Sequence, residues 1–193
     1  MSKRGVYTIV SGPSGAGKDH VVEELLRRFP DAAKLITTTT RPPRATEVDG
    51  VHYHFVDEQR FKEMERAGEF LETDRHYLYW YGSSRATLAE MLSRHALVIS
   101  IINPDGVLKI KRTMPECIAF FIVPTPVEAV RRRIAERQTG DPAADAERLA
   151  AFDGEMALSD RFDYRIENRE GSPLEAIDVI ERALRERHLL ASR

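Results

Sequence analysis

The sequence lacks the features that mark secreted, membrane and nucleic-acid-binding proteins. Cys117 is the single cysteine, so no internal disulfide can form. The 29 basic and 31 acidic residues nearly cancel to a formal charge of −2, which leaves no overall field to attract nucleic acid or anionic lipid. No apolar run is long enough for a membrane span, and residues 1–5 lead into a strand without a signal-peptide core. We therefore expect a cytoplasmic protein with no nucleic-acid or membrane partner.

Length and composition are typical of one globular domain. The 193 residues are 42% hydrophobic and 31% charged, within the ordinary range for a folded chain with a substantial core. Three apolar runs lack alternation, as strands buried on both faces do, namely Tyr7–Val10, Ala96–Ile102 and Ile118–Val123. Because helical segments separate such runs, we predict an α/β fold, a parallel sheet with helices on both faces. Cys117, at the start of the third run, is interpreted as a buried structural thiol.

Two segments carry strong helix-start signals: a capping hydroxyl, proline at the first helical position and glutamate at the third. They are Thr125-Pro126-Val127-Glu128 and Ser172-Pro173-Leu174-Glu175. The predicted helices are Val127–Arg137 and Leu174–His188. By contrast, residues 37–83 are polar and aromatic with glycine punctuation, which predicts an inserted subdomain of short strands. The core then comprises residues 1–36 and 84–193, with a mobile connection at about 137–148.

A phosphate-binding loop follows the first strand. Its residues fit the pattern G-x-x-x-x-G-K, with the sequence Gly12-Pro13-Ser14-Gly15-Ala16-Gly17-Lys18. Glycines let backbone N–H groups surround a phosphate, the next helix adds its positive end, and the lysine ammonium reaches the outer phosphates. These features predict a P-loop fold that binds a nucleotide such as ATP.

Asp19 and His20 follow the lysine, where a serine or threonine that ligates Mg²⁺ is usual. A carboxylate is a good ligand for a hard cation, so Asp19 could replace the hydroxyl or hold a metal-bound water. It could also repel the nucleotide phosphates. We favour Asp19 as a metal ligand.

From Gly12 onward the sequence resembles the guanylate kinase family. The resemblance is carried by Thr37–Arg44 (TTTTRPPR) and by Glu47–Phe55 (EVDGVHYHF). In that family this region binds the phosphate of GMP. The resemblance implies that the acceptor phosphate is held by Arg41, Arg44, Tyr53 and Tyr81. Arginine suits this role because guanidinium groups pair with phosphate oxygens in bidentate fashion.

The resemblance also implies a base-recognition set of Thr37, Glu72 and Ser83. A carboxylate accepts hydrogen bonds from N1 and the exocyclic amine of guanine, which adenine cannot supply. Further along, the family has an acidic pair where this chain has Ile101 and Asn103. Asn103 is expected to hydrogen-bond the base or an ordered water, and Asp105, two residues later, could partly compensate for the missing acids.

The remaining functional residues are implied by the same resemblance. Arg137 and Arg148 match lid arginines that close over the phosphates, and they join Lys18 and Arg44 as catalytic residues. Asn168 matches an asparagine on the adenine side. Lid closure brings positive charge to the transferring phosphoryl group and excludes water.

The implied activity is phosphorylation of GMP or dGMP by ATP with Mg²⁺, in a monomer or homodimer. Two alternatives stay open. A ribose 1,5-bisphosphate phosphokinase, which forms phosphoribosyl pyrophosphate, also ends its P-loop in Gly-Lys-Asp and lacks the later acidic pair. A guanylate-kinase-like scaffold module would bind peptides without catalysis.

Overall fold

The structure, a computed structural model, describes residues 5–76, 78–136, 142–169 and 173–189. Within these ranges five parallel strands form the central sheet: β1 (Val6–Ser11), β2 (Ala32–Lys34), β7 (Leu97–Ile101), β8 (Ile118–Thr125) and β9 (Tyr164–Arg169). Their order across the sheet is β2-β7-β1-β8-β9. The three strands predicted from apolar runs, now β1, β7 and β8, therefore lie side by side at its centre.

Helices cover both faces of this sheet, as predicted. They are α1 (Lys18–Arg28), α3 (Arg85–Arg94), α4 (Pro104–Thr113), α5 (Val127–Glu136), α6 (Pro142–Ala157) and α7 (Pro173–Leu189). Alternate residues of β8 divide between the faces. Phe120 belongs to one apolar cluster with Leu25 of α1 and Ile177 of α7, whereas Ala119 belongs to a second cluster with Leu88 of α3. Burying a side chain such as Phe120 contributes about 2 kcal/mol.

A smaller sheet is built from residues 38–84. It contains β3 (Thr38–Thr39), β4 (His54–Phe55), β5 (Phe70–His76) and β6 (Tyr79–Ser84) in the order β4-β3-β6-β5. The sequence predicts short strands here, but it does not reveal the nine-residue helix α2 (Glu58–Arg66). The helix is capped by Asp57 and buries Phe61, whose ring stacks on Phe70 at 4.7 Å. One buried side chain gives too weak a periodic pattern to predict a helix.

Both predicted helix starts agree with the structure to within one residue. α5 begins at Val127 as predicted, and because β8 continues through Thr125, Pro126 precedes the helix instead of occupying its first position. The second signal places Pro173 correctly, as the first residue of α7.

Cys117 is buried as predicted, and burial raises the pKa of its thiol to about 11. No helix in the described ranges combines the length and apolar character that a bilayer crossing requires.

Candidate active site

The loop between β1 and α1 has the backbone that a phosphate-binding loop requires. Gly12, Gly15 and Gly17 have φ angles of 135°, 81° and 85°, which favour glycine. Gly12 also has no room for a side chain, because a Cβ there would lie 2.4 Å from the carbonyl oxygen of Ile122 in β8. The chain then enters α1 at Lys18. Backbone N–H groups and a helix N-terminus can therefore meet an anion at this point.

The side chain of Lys18 folds back onto this loop. Nζ donates to the carbonyl oxygens of Gly12 at 2.7 Å and Pro13 at 2.8 Å. Burial lowers the pKa of the ammonium, while the carboxylates of Glu155 and Asp19 oppose that effect. The ammonium is thus placed to meet the outer phosphates of a nucleotide.

Asp19 and its neighbour His20 are exposed in the first turn of α1. Within the described ranges, no group of three or more histidine, cysteine, aspartate and glutamate side chains is placed to hold a metal ion. A single carboxylate nevertheless fits Mg²⁺, which one or two carboxylates commonly hold together with nucleotide phosphates and waters. Bound there, the cation would neutralise phosphate charge.

The arginines predicted to hold the acceptor phosphate lie on the turn after β3, around Glu47. Nη2 of Arg41 donates to Oε1 of Glu47 at 2.7 Å, and the backbone N–H of Arg44 donates to Oε2 at 2.7 Å. Arg41 also lies 5.4 Å from the ring centre of Tyr53, which meets Tyr81 edge-on at 6.0 Å. The Arg41 guanidinium holds the pKa of Glu47 at about 2. Glu47 therefore stays charged and fixes this turn.

Glu72 lies on β5 with 7% of its surface exposed. Oγ of Ser83 on β6 donates to Oε1 of Glu72 at 2.9 Å. Burial raises the pKa of Glu72 to about 7, although the Ser83 hydrogen bond opposes the shift. A buried carboxyl with one oxygen anchored by a hydroxyl is suited to recognise a ligand that offers hydrogen-bond donors.

Asn103 is the N-cap of α4, just beyond β7. Its Oδ1 accepts from the backbone N–H of Gly106 at 2.9 Å. Its Nδ2 donates to the carboxylate of Asp74, which lies two residues after Glu72 on β5. The amide is therefore held by one hydrogen bond at each end.

Several of these groups line one cavity of about 200 Å³, whereas Arg41, Arg44 and Ser83 are not among its lining residues. The phosphate-loop end is lined by Gly12, Ser14, Lys18 and Glu155, and the far end by Thr37, Tyr53, Glu72, Asp74, Tyr81, Gly82, Ile101, Ile102 and Asn103. Glu155, on α6, accepts a hydrogen bond from the backbone N–H of Ser14, and burial raises its pKa to about 7. The structure thus joins the predicted phosphate loop to most of the predicted acceptor residues.

Asn168 on β9 contacts the phosphate loop from outside this cavity. Nδ2 donates to the carbonyl oxygen of Ala16 at 2.8 Å. Within the described residues, its buried Oδ1 has no hydrogen-bond partner, and such groups normally have one. Arg137 and the side chain of Arg148 lie outside the described part of the chain.

Comparison with known proteins identifies the family. The guanylate kinase family model matches residues 4–186. A guanylate kinase of Alkalilimnicola ehrlichii is 37% identical over 85% of this chain and 81% of its own, and one of Clostridioides difficile is 36% identical over 87% and 82%. The chain belongs to the guanylate kinase family. The crystal structure of a guanylate kinase from Anaplasma phagocytophilum matches with a TM-score of 0.78 and 26% identity, covering 96% of this chain and 87% of that one.

In this guanylate kinase family member, the cavity also contains two acidic side chains that the sequence did not predict, Asp74 and Glu155. Neither belongs to a motif. Glu155 reaches the loop from a helix far along the chain, for which the sequence holds no local signal. Asp74 could have been found from its spacing of two from Glu72, since alternate residues of a strand share a face.

Proposed function

We propose that this chain transfers the γ-phosphoryl group of ATP to GMP or dGMP, yielding GDP or dGDP. The observation that carries the proposal is the common cavity of the phosphate loop and Glu72. One end offers N–H groups and an ammonium for the phosphates of ATP, and the other offers a buried carboxyl for N1 and the exocyclic amine of guanine.

The acceptor phosphate fits between these ends. Arg41, Arg44, Tyr53 and Tyr81 supply charge and hydroxyl donors there, and Thr37 and Ser83 complete the base site beside Glu72. The acceptor phosphate is already an oxyanion, so no general base is required, and catalysis follows from positioning and charge neutralisation. In this scheme Lys18 and Arg44 act on the transferring group, and Arg137 and Arg148 join them on lid closure.

The remaining assignments follow from this chemistry. The phosphate loop, residues 12–18, holds ATP, and Asp19 contributes a ligand to its Mg²⁺ beside His20. Asn168, which contacts the phosphate loop at Ala16, belongs to the adenine side of the ATP site. The segment at about 37–83 is the acceptor-binding insertion, and 137–148 is the lid. We further propose a cytoplasmic monomer or homodimer that acts in purine nucleotide metabolism.

The two alternatives from the sequence have less support. The relatives described above are named guanylate kinases, which favours GMP over ribose 1,5-bisphosphate as the acceptor. A module without catalysis has no need for the positive-φ backbone of Gly12 or for Lys18 folded onto it.

The test is the steady-state rate of ADP release with ATP, Mg²⁺ and each of GMP, dGMP, AMP, CMP, UMP and ribose 1,5-bisphosphate. We expect kcat/KM for GMP to exceed that for AMP by at least about a hundredfold, because adenine leaves the Glu72 carboxylate unpaired. The control is Lys18→Ala, which shows that the activity belongs to this chain. Equal rates with GMP and AMP would contradict the guanine assignment, and a faster rate with ribose 1,5-bisphosphate would replace it.

A further inference from the structure

Asp74 lies beside Glu72 in the wall of the base-binding end of the cavity. Both side chains lie against the start of α4. Oε2 of Glu72 is close to Gly106 in the first turn of α4, because a Cβ added to Gly106 would lie 3.2 Å from it. Asp74 accepts a hydrogen bond from Asn103, the N-cap of the same helix. The Asp74 side chain is 18% exposed. Two carboxyl groups therefore face the space where Glu72 is proposed to hold a base.

Two hydrogen bonds hold the Asn103 amide in a fixed orientation. Its Oδ1 is used to cap α4 at Gly106, and this fixes the amide so that Nδ2 points to Asp74. An aspartate at position 103 would cap the helix equally well, but it would place two carboxylates in contact. The amide at 103 and the acid at 74 are therefore a matched pair. The acid that the family resemblance places after β7 is supplied here from β5.

Lys109 of α4 completes the support of Asp74. Its Nζ donates to Oδ1 of Asp74 at 3.0 Å and to the carbonyl oxygen of Thr73 at 2.8 Å. Each oxygen of Asp74 thus has one protein donor, from Lys109 or from Asn103. Because a carboxylate oxygen can accept about two hydrogen bonds, the group is fixed in place and each oxygen can still accept one more.

Guanine can supply a hydrogen-bond donor to the Asp74 carboxylate. Its recognition edge has three N–H bonds, one at N1 and two on the exocyclic amine. Glu72 can accept from N1 and from one amine hydrogen, which leaves the second amine hydrogen without a partner, and a desolvated donor without an acceptor is costly. Hypoxanthine, the base of IMP, has the same N1–H but no amine.

We propose that Asp74 is a specificity-determining residue that accepts the second amine hydrogen of guanine, with Asn103 and Lys109 as its positioning residues. This inference rests on the proposed GMP kinase activity. It assigns selection of guanine over hypoxanthine to β5, and it makes Asn103 a support of Asp74 instead of a direct contact to the base.

The test measures two constants in each variant: kcat/KM for GMP, and the inhibition constant of IMP against GMP-dependent ADP release. We expect Asp74→Asn to lower kcat/KM for GMP by about tenfold to a hundredfold and to change IMP inhibition by less than about threefold. The double variant Asp74→Asn/Asn103→Asp returns a carboxylate to this wall, and we expect it to recover most of the GMP activity. Asp31→Asn, an exposed aspartate outside the cavity, is the matched control.

The outcomes distinguish failure of this inference from failure of the proposed GMP kinase activity. If Asp74→Asn weakens GMP and IMP equally, or affects neither, Asp74 has a structural role and the inference is overturned while GMP kinase activity stands. If the unmodified protein releases no ADP with GMP, the proposed function fails and this inference fails with it.

Discussion

Glu72 gives the most quantitative prediction, because it is a buried carboxyl whose replacement by glutamine keeps its shape. Burial raises its pKa in the folded protein from 4.5 to about 7. Below pH 4.5 the group is protonated in both the folded and the unfolded chain, and its contribution to stability is lost as the pH rises through 7. The difference corresponds to about 3 kcal/mol. About 2.5 kcal/mol of it is lost between pH 5 and pH 8.

The assay is urea denaturation of the unmodified protein and of Glu72→Gln at pH 5, 6, 7 and 8. The free energy of unfolding of Glu72→Gln should gain about 2.5 kcal/mol relative to the unmodified protein across this range, because glutamine does not titrate. Glu58→Gln is the control, since Glu58 is exposed and Lys62 lowers its pKa. The difference in free energy of unfolding between Glu58→Gln and the unmodified protein should stay constant from pH 5 to pH 8.

The same ionisation should appear in catalysis. An ionised Glu72 accepts two hydrogen bonds from guanine, whereas the protonated form cannot. Below pH 7, kcat/KM for GMP should therefore fall by about tenfold per pH unit. If the difference in free energy of unfolding between Glu72→Gln and the unmodified protein does not change from pH 5 to pH 8, burial does not raise the pKa of Glu72, and the predicted loss of activity below pH 7 has no basis.

Three further predictions concern the rest of the site. Lys18→Met should lower kcat by about a hundredfold to a thousandfold with little change in the urea midpoint, because the ammonium contacts loop carbonyls rather than the core. Gly12→Ala should lower the free energy of unfolding, measured in urea, by at least about 3 kcal/mol, because the new Cβ would clash with the backbone of Ile122. Gly68→Ala should lower it by only about 1 kcal/mol, because Gly68 has a φ of 70° but no atom lies within 4 Å of the new Cβ. Glu47→Gln should raise KM for GMP about tenfold and leave KM for ATP unchanged, because Arg41 loses its ion-pair partner.

The sequence predicts the three central strands, β1, β7 and β8, because they are apolar and buried on both faces, whereas it does not predict the three-residue β2 or the more polar β9. The phosphate loop is evident because strand, glycines, lysine and helix follow one another directly. α2 is not evident, because it buries a single side chain and lies among short strands. Local patterns therefore predict local structure, and they fail where a short element is stabilised by one tertiary contact.

The candidate site shows the same division. Arg41 and Glu72 lie in recognisable blocks of sequence, so their positions near the cavity are expected. The contact of Glu155 with the phosphate loop depends on tertiary packing that brings α6 to the loop, which no local pattern encodes. Asn103 is expected to hydrogen-bond the base or a water, and the structure places it in the wall of the cavity, where its amide also donates to Asp74. The contact with Asp74 comes from a distant strand, so the sequence around Asn103 does not reveal it.

Phosphate transfer to GMP is tested most directly by identifying the product. ATP labelled at the γ-phosphate is incubated with the protein, Mg²⁺ and GMP, and the nucleotides are separated by chromatography. We expect the label to move into GDP, and we expect Lys18→Met to lose this transfer. Label recovered only as inorganic phosphate, or transferred to ribose 1,5-bisphosphate and not to GMP, would contradict the proposed activity.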